Sequence, residues 1–481
     1  MTLFRTKAIN AECGDTGLRR CLTTADLIFL GIGGIIGAGI FVLTGVAAAV
    51  DAGPAIVLSF VISGLACGFT ALSYAELSAA VGGCGSAYGY AYAGLGEIVA
   101  WIVGWDLILE YGVATAAVAI GWSGYVKDAL AAVGLHLPLA LTHVNIYAIA
   151  AWALGVMHKP IPALVAAKAS TGGFVNFPAA AIIIVLSLVL AAGVRYSAAL
   201  NGIMVLVKLA VIAIFIGVAG FHVTPGNWHP FMPFGWPGVM RGAALIFFAY
   251  IGFDAVSTAA EETRDPQHSL PIGIIVSLLI CTVIYIVVAG LLTSIVPYFT
   301  LNNASPVASS MLTLGHPIVA LLIGLGAIVG LTSVMLVLFY GLTRIFLAMA
   351  RDGLLPEGFA AINKRTKTPI RVILVSGVFM ALIAGLTPIG YVAELVNIGT
   401  LAAFTIVCSG VLVLRYTRPD LPRPFRAPGS PIVPLLGIGF CIYLMLSLPL
   451  FTWIRFLVWF LIGIVIYVGY GRSHSRLAEA Q

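Results

Sequence analysis

Charge is scarce in this sequence: 9% of its 481 residues are Asp, Glu, Lys or Arg, against 61% that are hydrophobic. Soluble domains carry roughly 25% charged residues, and a water-soluble fold cannot hide so much apolar surface. The devices of enzymes are scarce too. There is no HExxH zinc motif and no Walker phosphate loop. The GxG runs sit in apolar stretches and follow no strand, so they do not support a dinucleotide site. The seven cysteines, Cys13, Cys21, Cys67, Cys84, Cys281, Cys408 and Cys441, lack zinc-type spacing. None falls in a loop expected outside the membrane, so small apolar packing is their expected role rather than disulfides. A cleavable leader is not expected either: residues 1–24 are polar, carry Arg5, Lys7, Arg19 and Arg20, and lack a cleavage site after a short apolar core. No metal, cofactor or enzymatic activity is expected. Nucleic acid is not expected as a partner, because the basic residues behind the net charge of +6 are scattered over loops.

What the chain has in abundance is long apolar runs. Lipid is their natural solvent, and lipid admits only helices or closed barrels. Runs of about 20 residues fit helices rather than barrel strands. The sequence predicts an all-α membrane protein with twelve spans near 25–50, 54–80, 96–123, 178–194, 199–221, 238–260, 271–297, 317–349, 371–387, 390–414, 433–450 and 452–470. Pro54, Pro178, Pro271 and Pro317 suit first helical turns. With both termini in the cytoplasm, most of the 24 Lys and Arg residues lie on the inner side. Only Lys127, Lys159, Lys168, Arg241 and Arg455 lie on the outer side, and Lys208 is left within a span. That asymmetry is the positive-inside pattern and favours an even span count. Leu139 to Met157 is apolar enough to tempt a thirteenth span, but counting it would turn the basic loops at 351–371 and 415–426 outward. A surface segment or short outer helix, with His143 and Asn145, is expected there instead.

Three features carry chemistry. The first is GIGGIIGAGI, 31–40, with five glycines in the nine residues from Gly31 to Gly39. Each costs a helix about 1 kcal/mol relative to Ala. An unwound backbone at membrane depth is tolerated only where it lines a cavity or meets a ligand, and a second half-helix starting near Ala38 would aim N–H groups at an anion. Close helix packing of the GxxxG kind is the competing reading. The second is FFAYIGFD, 247–254, where Gly252 and Asp254 interrupt another apolar run. Paired interruptions in two halves point to an inverted-repeat transporter site. Spans 1 and 6 each open a five-span unit, giving repeats over 25–221 and 238–414, two extra spans over 433–470, and cytoplasmic tails 1–24 and 471–481. The third is a set of ionisable residues within spans, functional by default: Glu110 in span 3, Lys208 in span 5 and Asp254 at the span 6 break. A buried ammonium must lose its proton or find oxygen ligands, and an unwound helix offers carbonyls. Lys208 is therefore read as a proton switch. Snorkelling to an interface competes poorly, because apolar sequence separates Lys208 from both ends of its span. For Glu76 and Asp106 a structural role is at least as good a reading, Asp26 reads as an N-cap, and Glu394 as solvated or lining an outer vestibule.

At these residues the chain resembles the amino acid–polyamine–organocation superfamily, and more narrowly the bacterial members of its cationic amino acid transporter group. The matching segments are GIGGIIGAGIFVLTG (31–45), GWDLILEYG (104–112), FFAYIGFDAVSTAAEE (247–262), RDGLLP (351–356) and NIGTL (397–401). The resemblance implies a LeuT-like 5+5 inverted repeat plus two C-terminal helices. It also implies a small-molecule amino acid substrate held between spans 1, 3, 6 and 8. Ile35, Gly37, Ala38 and Gly39 would meet the substrate carboxylate. Phe248, Ala249 and Ile251 would offer carbonyls to the ammonium, with Phe248 also a gate. Glu110, Ala114 and Asp254 would line the side-chain pocket, and Lys208 would stand where other members hold sodium. The expected activity is alternating-access, proton-coupled amino acid transport across a plasma membrane, the inner membrane in a bacterium. Exchange without net proton movement, a non-transporting sensor and a channel are the alternatives. Lipid-facing spans leave room for a small accessory membrane protein. Three features depart from the family pattern: Ala38 stands where similar members carry a hydroxyl, the outer insertion at 131–177 is unmatched, and twelve spans are fewer than the animal members have.

Overall fold

A computed structural model describes residues 5–7, 22–81, 87–142, 144–145, 147, 173–193, 198–363, 365–366, 368–429 and 431–479. Cys13, Cys21 and Cys84, His143, most of the 1–24 tail and the centre of the 131–177 insertion lie outside those residues. Within them the backbone is helical, and strand-like pairing is confined to two isolated bridges, Leu22 with Thr263 and Thr142 with Asn176.

The first helix starts at α1 (Thr24–Ile35), stops, and resumes as short π- and α-helical turns over Gly39–Leu43, Thr44–Ala47 and Ala48–Ala52. Then follow α2 (Ile56–Val81), α3 (Ala87–Gly94), α4 (Glu97–Ala132), α5 (Phe177–Ala191) and α6 (Ala198–Gly220). A second broken helix begins as α7 (Gly235–Ile246), tightens into a 3₁₀ turn at Phe247–Tyr250, breaks, and continues as 3₁₀ helix over Asp254–Glu262. The remainder is α8 (Pro266–Ile295), α9 (Pro306–Thr313), α10 (Pro317–Arg351), α11 (Ile370–Leu386), α12 (Ile389–Thr417), α13 (Ile432–Leu446) and α14 (Leu450–Ile466).

Among the described residues, eight helical stretches are long and apolar enough to cross a membrane; the first, Thr24–Val81, includes Gly53, whose φ is +63°. Three shorter apolar helices, α5, α11 and α13, add to them. Burial sorts these helices into a centre and a rim. Within Gly235–Ala260 an apolar 18-residue window is 94% buried in the protein, whereas the corresponding window of Leu450–His474 is 17% buried and turns its apolar side chains outward. In a lipid solvent, which satisfies apolar surface but no backbone polar group, that is the stable arrangement. α4 packs on α10 and α12, α2 on α8, and α1 on both α6 and α8, so α1 and α7 sit inside a wall of long helices.

Several details differ from the sequence expectation. α8 begins at Pro266, which leaves Pro271 inside the helix rather than at its start. Thr23, not Asp26, is the N-cap of α1; Asp26 is its capping-box partner and accepts from the Thr23 backbone N–H at 2.9 Å. Glu394 is paired with Arg455 at 2.9 Å and accepts from Thr452 at 2.6 Å, and is not simply solvated. Glu76 has the structural role expected of it: Arg415 grips it with two nitrogens, Arg423 lies 3.6 Å away and the Ala427 N–H donates at 2.8 Å. Leu139–Leu141 forms one 3₁₀ turn. The four described cysteines, Cys67, Cys281, Cys408 and Cys441, are free and buried.

Candidate functional site

The glycine run does what its composition predicts: α1 ends at Ile35, and Ile36 takes an extended ψ of 98°. The second break falls at Ile251, extended with ψ 135°, and Gly252, whose φ of +115° favours glycine. The two breaks touch. A Cβ built on Gly252 would lie 2.7 Å from the carbonyl carbon of Gly34, and one on Gly39 would lie 2.2 Å from the Ala249 Cα. Glycine is therefore required here as much by backbone approach as by torsion.

A break frees carbonyls, and in a buried apolar setting each needs a donor. Lys208 of α6 supplies two bonds, from Nζ to the Gly33 oxygen at 2.7 Å and to the Ile36 oxygen at 3.0 Å. Its side chain is fully buried. Room for its stem comes from Gly330 of α10, where a Cβ would lie 2.9 Å from the Lys208 Cγ. Tyr285 of α8 adds a bond that the sequence did not reveal. Its hydroxyl lies 2.8 Å from the Ile35 oxygen and 2.9 Å from the Ala249 oxygen, one from each broken helix. Asn397 of α12, within the NIGTL segment, donates to the Ala244 and Leu245 oxygens at 2.7 and 2.9 Å, where α7 tightens. No local pattern marks Tyr285, a single tyrosine in an apolar run.

The residues expected to line a pocket surround these breaks. Ile35, Ala38, Ala114, Phe248, Ala249, Ile251, Glu110 and Asp254 are all buried. Gly37 faces Val334 of α10, and Gly39 faces Ala249. Glu110 and Ala114, one turn apart, share a face of α4. Asp254 accepts from the Tyr111 hydroxyl at 2.8 Å and from the Gly252 N–H at 3.2 Å. Neither oxygen of Glu110 has a hydrogen-bond partner among the described residues, nor has Asp106 Oδ1, Thr400 Oγ1 or Asn397 Oδ1. Buried polar atoms left in this state mark a place built for something polar. The described residues hold no group of three or more His, Cys, Asp or Glu able to bind a metal.

Apolar helices that sort into centre and rim, two of them broken face to face around polar groups, define an all-α membrane transporter. Comparison with known proteins gives the kind. The model of the family described as amino acid permease matches residues 22–469, and the chain belongs to that family. The branched-chain amino acid permease BcaP of Bacillus subtilis is 46% identical over 483 residues, spanning 99% of each chain. The methylthioribose transporter of the same organism is 44% identical over 479 residues, again 99% of each. Cationic amino acid transporter 4 of Mus musculus is 38% identical over 425 residues, covering 87% of this chain and 64% of that one. The chain is a multi-pass amino acid transporter rather than an enzyme.

Proposed function

We propose that the protein is a proton-coupled α-amino acid transporter that works by alternating access at the plasma membrane, with twelve spans and both termini in the cytoplasm. Its repeats are 25–221 and 238–414, and spans 433–470 lie outside them. The substrate sits between the two breaks. Its carboxylate meets the N–H groups where the first helix resumes, around Gly37, Ala38 and Gly39, beside Ile35. Its ammonium meets carbonyls of Phe248, Ala249 and Ile251. Its side chain extends toward Glu110, Ala114 and Asp254, while Phe248 covers the site.

One observation carries the proton reading: the Lys208 ammonium grips two carbonyls at the first break. A cation at that point holds α1 in its broken form, and loss of the proton removes the charge that strengthens both bonds. Proton binding and the position of α1 are then two faces of one equilibrium. The relatives' names include a branched-chain permease and cationic transporters. Glu110 beside Ala114 suits either a cationic side chain or, when protonated, a neutral one.

The test is a substrate panel in proteoliposomes under an imposed inward proton gradient, with a pH dye inside. Accumulation above equilibrium together with internal acidification is expected. Uptake that requires internal substrate and moves no protons would replace symport by exchange, and uptake into vesicles empty of substrate that never exceeds equilibrium would indicate an uncoupled carrier or a channel.

A further inference from the structure

We propose that His222 and His316 form a site for a borderline divalent ion, zinc or copper, whose binding fastens α6 to α10 and slows transport. The two residues are 94 positions apart, yet their Nε2 atoms lie 3.3 Å from one another. The rings meet edge to face, with centroids 4.9 Å apart and an interplanar angle of 76°. His222 follows the end of α6, and His316 is the N-cap residue of α10. Both are half-buried. The proposed topology makes this face extracellular.

The separation has a chemical meaning. Zinc binds imidazole nitrogen at about 2.0–2.1 Å in a tetrahedron, which sets two ligand nitrogens roughly 3.3 Å apart. The tautomer also fits. His222 Nδ1 lies 2.9 Å from the Val218 carbonyl oxygen. A carbonyl can only accept, so Nδ1 carries the hydrogen and Nε2 presents a lone pair. A ligating histidine anchored through its other nitrogen is the usual arrangement at metal sites. Without metal, His316 Nε2–H donates to His222 Nε2. With metal, that proton moves to His316 Nδ1 through solvent, both rings stay neutral, and both Nε2 lone pairs face the ion. Among the described residues no third protein ligand completes the group, so water fills the other positions. Imidazole favours zinc, copper and nickel over magnesium and calcium.

The helices that the pair would join also enclose Lys208. Gly330 of α10 lies against the Lys208 stem, and four residues earlier Gly326 meets Val211 of α6 so closely that a Cβ would lie 2.1 Å from its Cγ2. A metal clasp at the end of this interface therefore restrains the contact around the proposed proton switch.

Two measurements test this. In the first, Cu²⁺ added to purified protein is followed by electron paramagnetic resonance, which needs no transport substrate and no assumed orientation. A spectrum with two imidazole nitrogens is expected, reduced to one in His222→Ala and in His316→Ala. An unchanged spectrum in either variant overturns the site. In the second, Zn²⁺ or Mg²⁺ is added to either side of proteoliposomes during uptake of a substrate identified by the panel. Zinc is expected to slow uptake and a chelator to restore it, with magnesium inert. The half-inhibiting zinc concentration is expected to rise on the order of tenfold or more in each variant, since even outer-shell partners are worth about 10–100-fold in metal affinity. Both variants should transport normally without metal. Copper bound at the pair with no effect of zinc on uptake overturns the clasp, as does zinc inhibition that survives in both variants.

Discussion

Replacing Lys208 with methionine keeps an unbranched side chain of similar length but removes two bonds, at 2.7 and 3.0 Å. Each charge-assisted bond is worth about 1.5–3 kcal/mol, and the two carbonyls left behind are buried. The variant also escapes the desolvation cost of a buried ammonium, which is several kcal/mol in its own right. The two terms oppose one another, so thermal unfolding in detergent should move little. Coupling should not survive. A pH step of one unit stores about 1.4 kcal/mol per proton, enough for roughly tenfold accumulation at a stoichiometry of one. The native protein is expected to approach that ratio in proteoliposomes. Lys208→Met should reach only equilibrium, while still exchanging internal for external substrate. Lys208→Ala should behave alike, with an added stability loss from the cavity. Concentrative, gradient-driven uptake by either variant at the native level would refute Lys208 as the proton switch.

Gly252→Ala should cost at least about 1–3 kcal/mol for a non-glycine residue forced to positive φ, because the new Cβ would also lie 2.7 Å from the Gly34 backbone. Gly68→Ala in α2, where a Cβ meets nothing within 4 Å, is the matched control, and comparative thermal unfolding reads the difference. Glu76→Gln should lower stability by about 3–5 kcal/mol, the usual cost of breaking a buried pair, because side-chain exposure is 2% for Glu76 and 10% for Arg415; substrate preference should be unchanged. Glu110→Gln removes an ionisable group whose oxygens make no hydrogen bond of good geometry to the described residues, and an amide oxygen can still accept from a neighbouring hydroxyl. Stability should hold or rise in an unfolding assay, and any uptake of lysine or arginine should be lost while uptake of neutral amino acids persists.

The membrane class and helical architecture were legible because lipid imposes length and apolarity on every helix that crosses it. Both breaks were legible as well: Gly31 to Gly39 and Gly252 are local departures from helical composition. Lys208 stood out because an amine inside an apolar run is costly wherever it lies. The other donors that satisfy the breaks were not legible. Tyr285 reaches Ile35 across 250 positions and Asn397 reaches Ala244 across 153, and local sequence carries no record of such pairings. The same limit hid the His222–His316 contact and the arginines on Glu76. The partners of Glu394 were hidden for a related reason. Its partners Arg455 and Thr452 belong to α14, and hydropathy does not say which helix ends become neighbours.

The Tyr285 hydroxyl has one hydrogen and two carbonyl neighbours, Ile35 on one broken helix and Ala249 on the other. A phenol donates once, so at any instant one helix holds the hydrogen and the other goes without. The hydroxyl is thus one hydrogen short for its two neighbours, and that shortfall is shared between the two broken helices. In the proposed binding mode an α-ammonium arrives with three donors next to Ala249. It can take over that carbonyl and release the hydroxyl wholly to Ile35, settling both helices at once. Occupancy is then registered as the end of a frustration between the two broken helices, at an atom that need not touch the substrate.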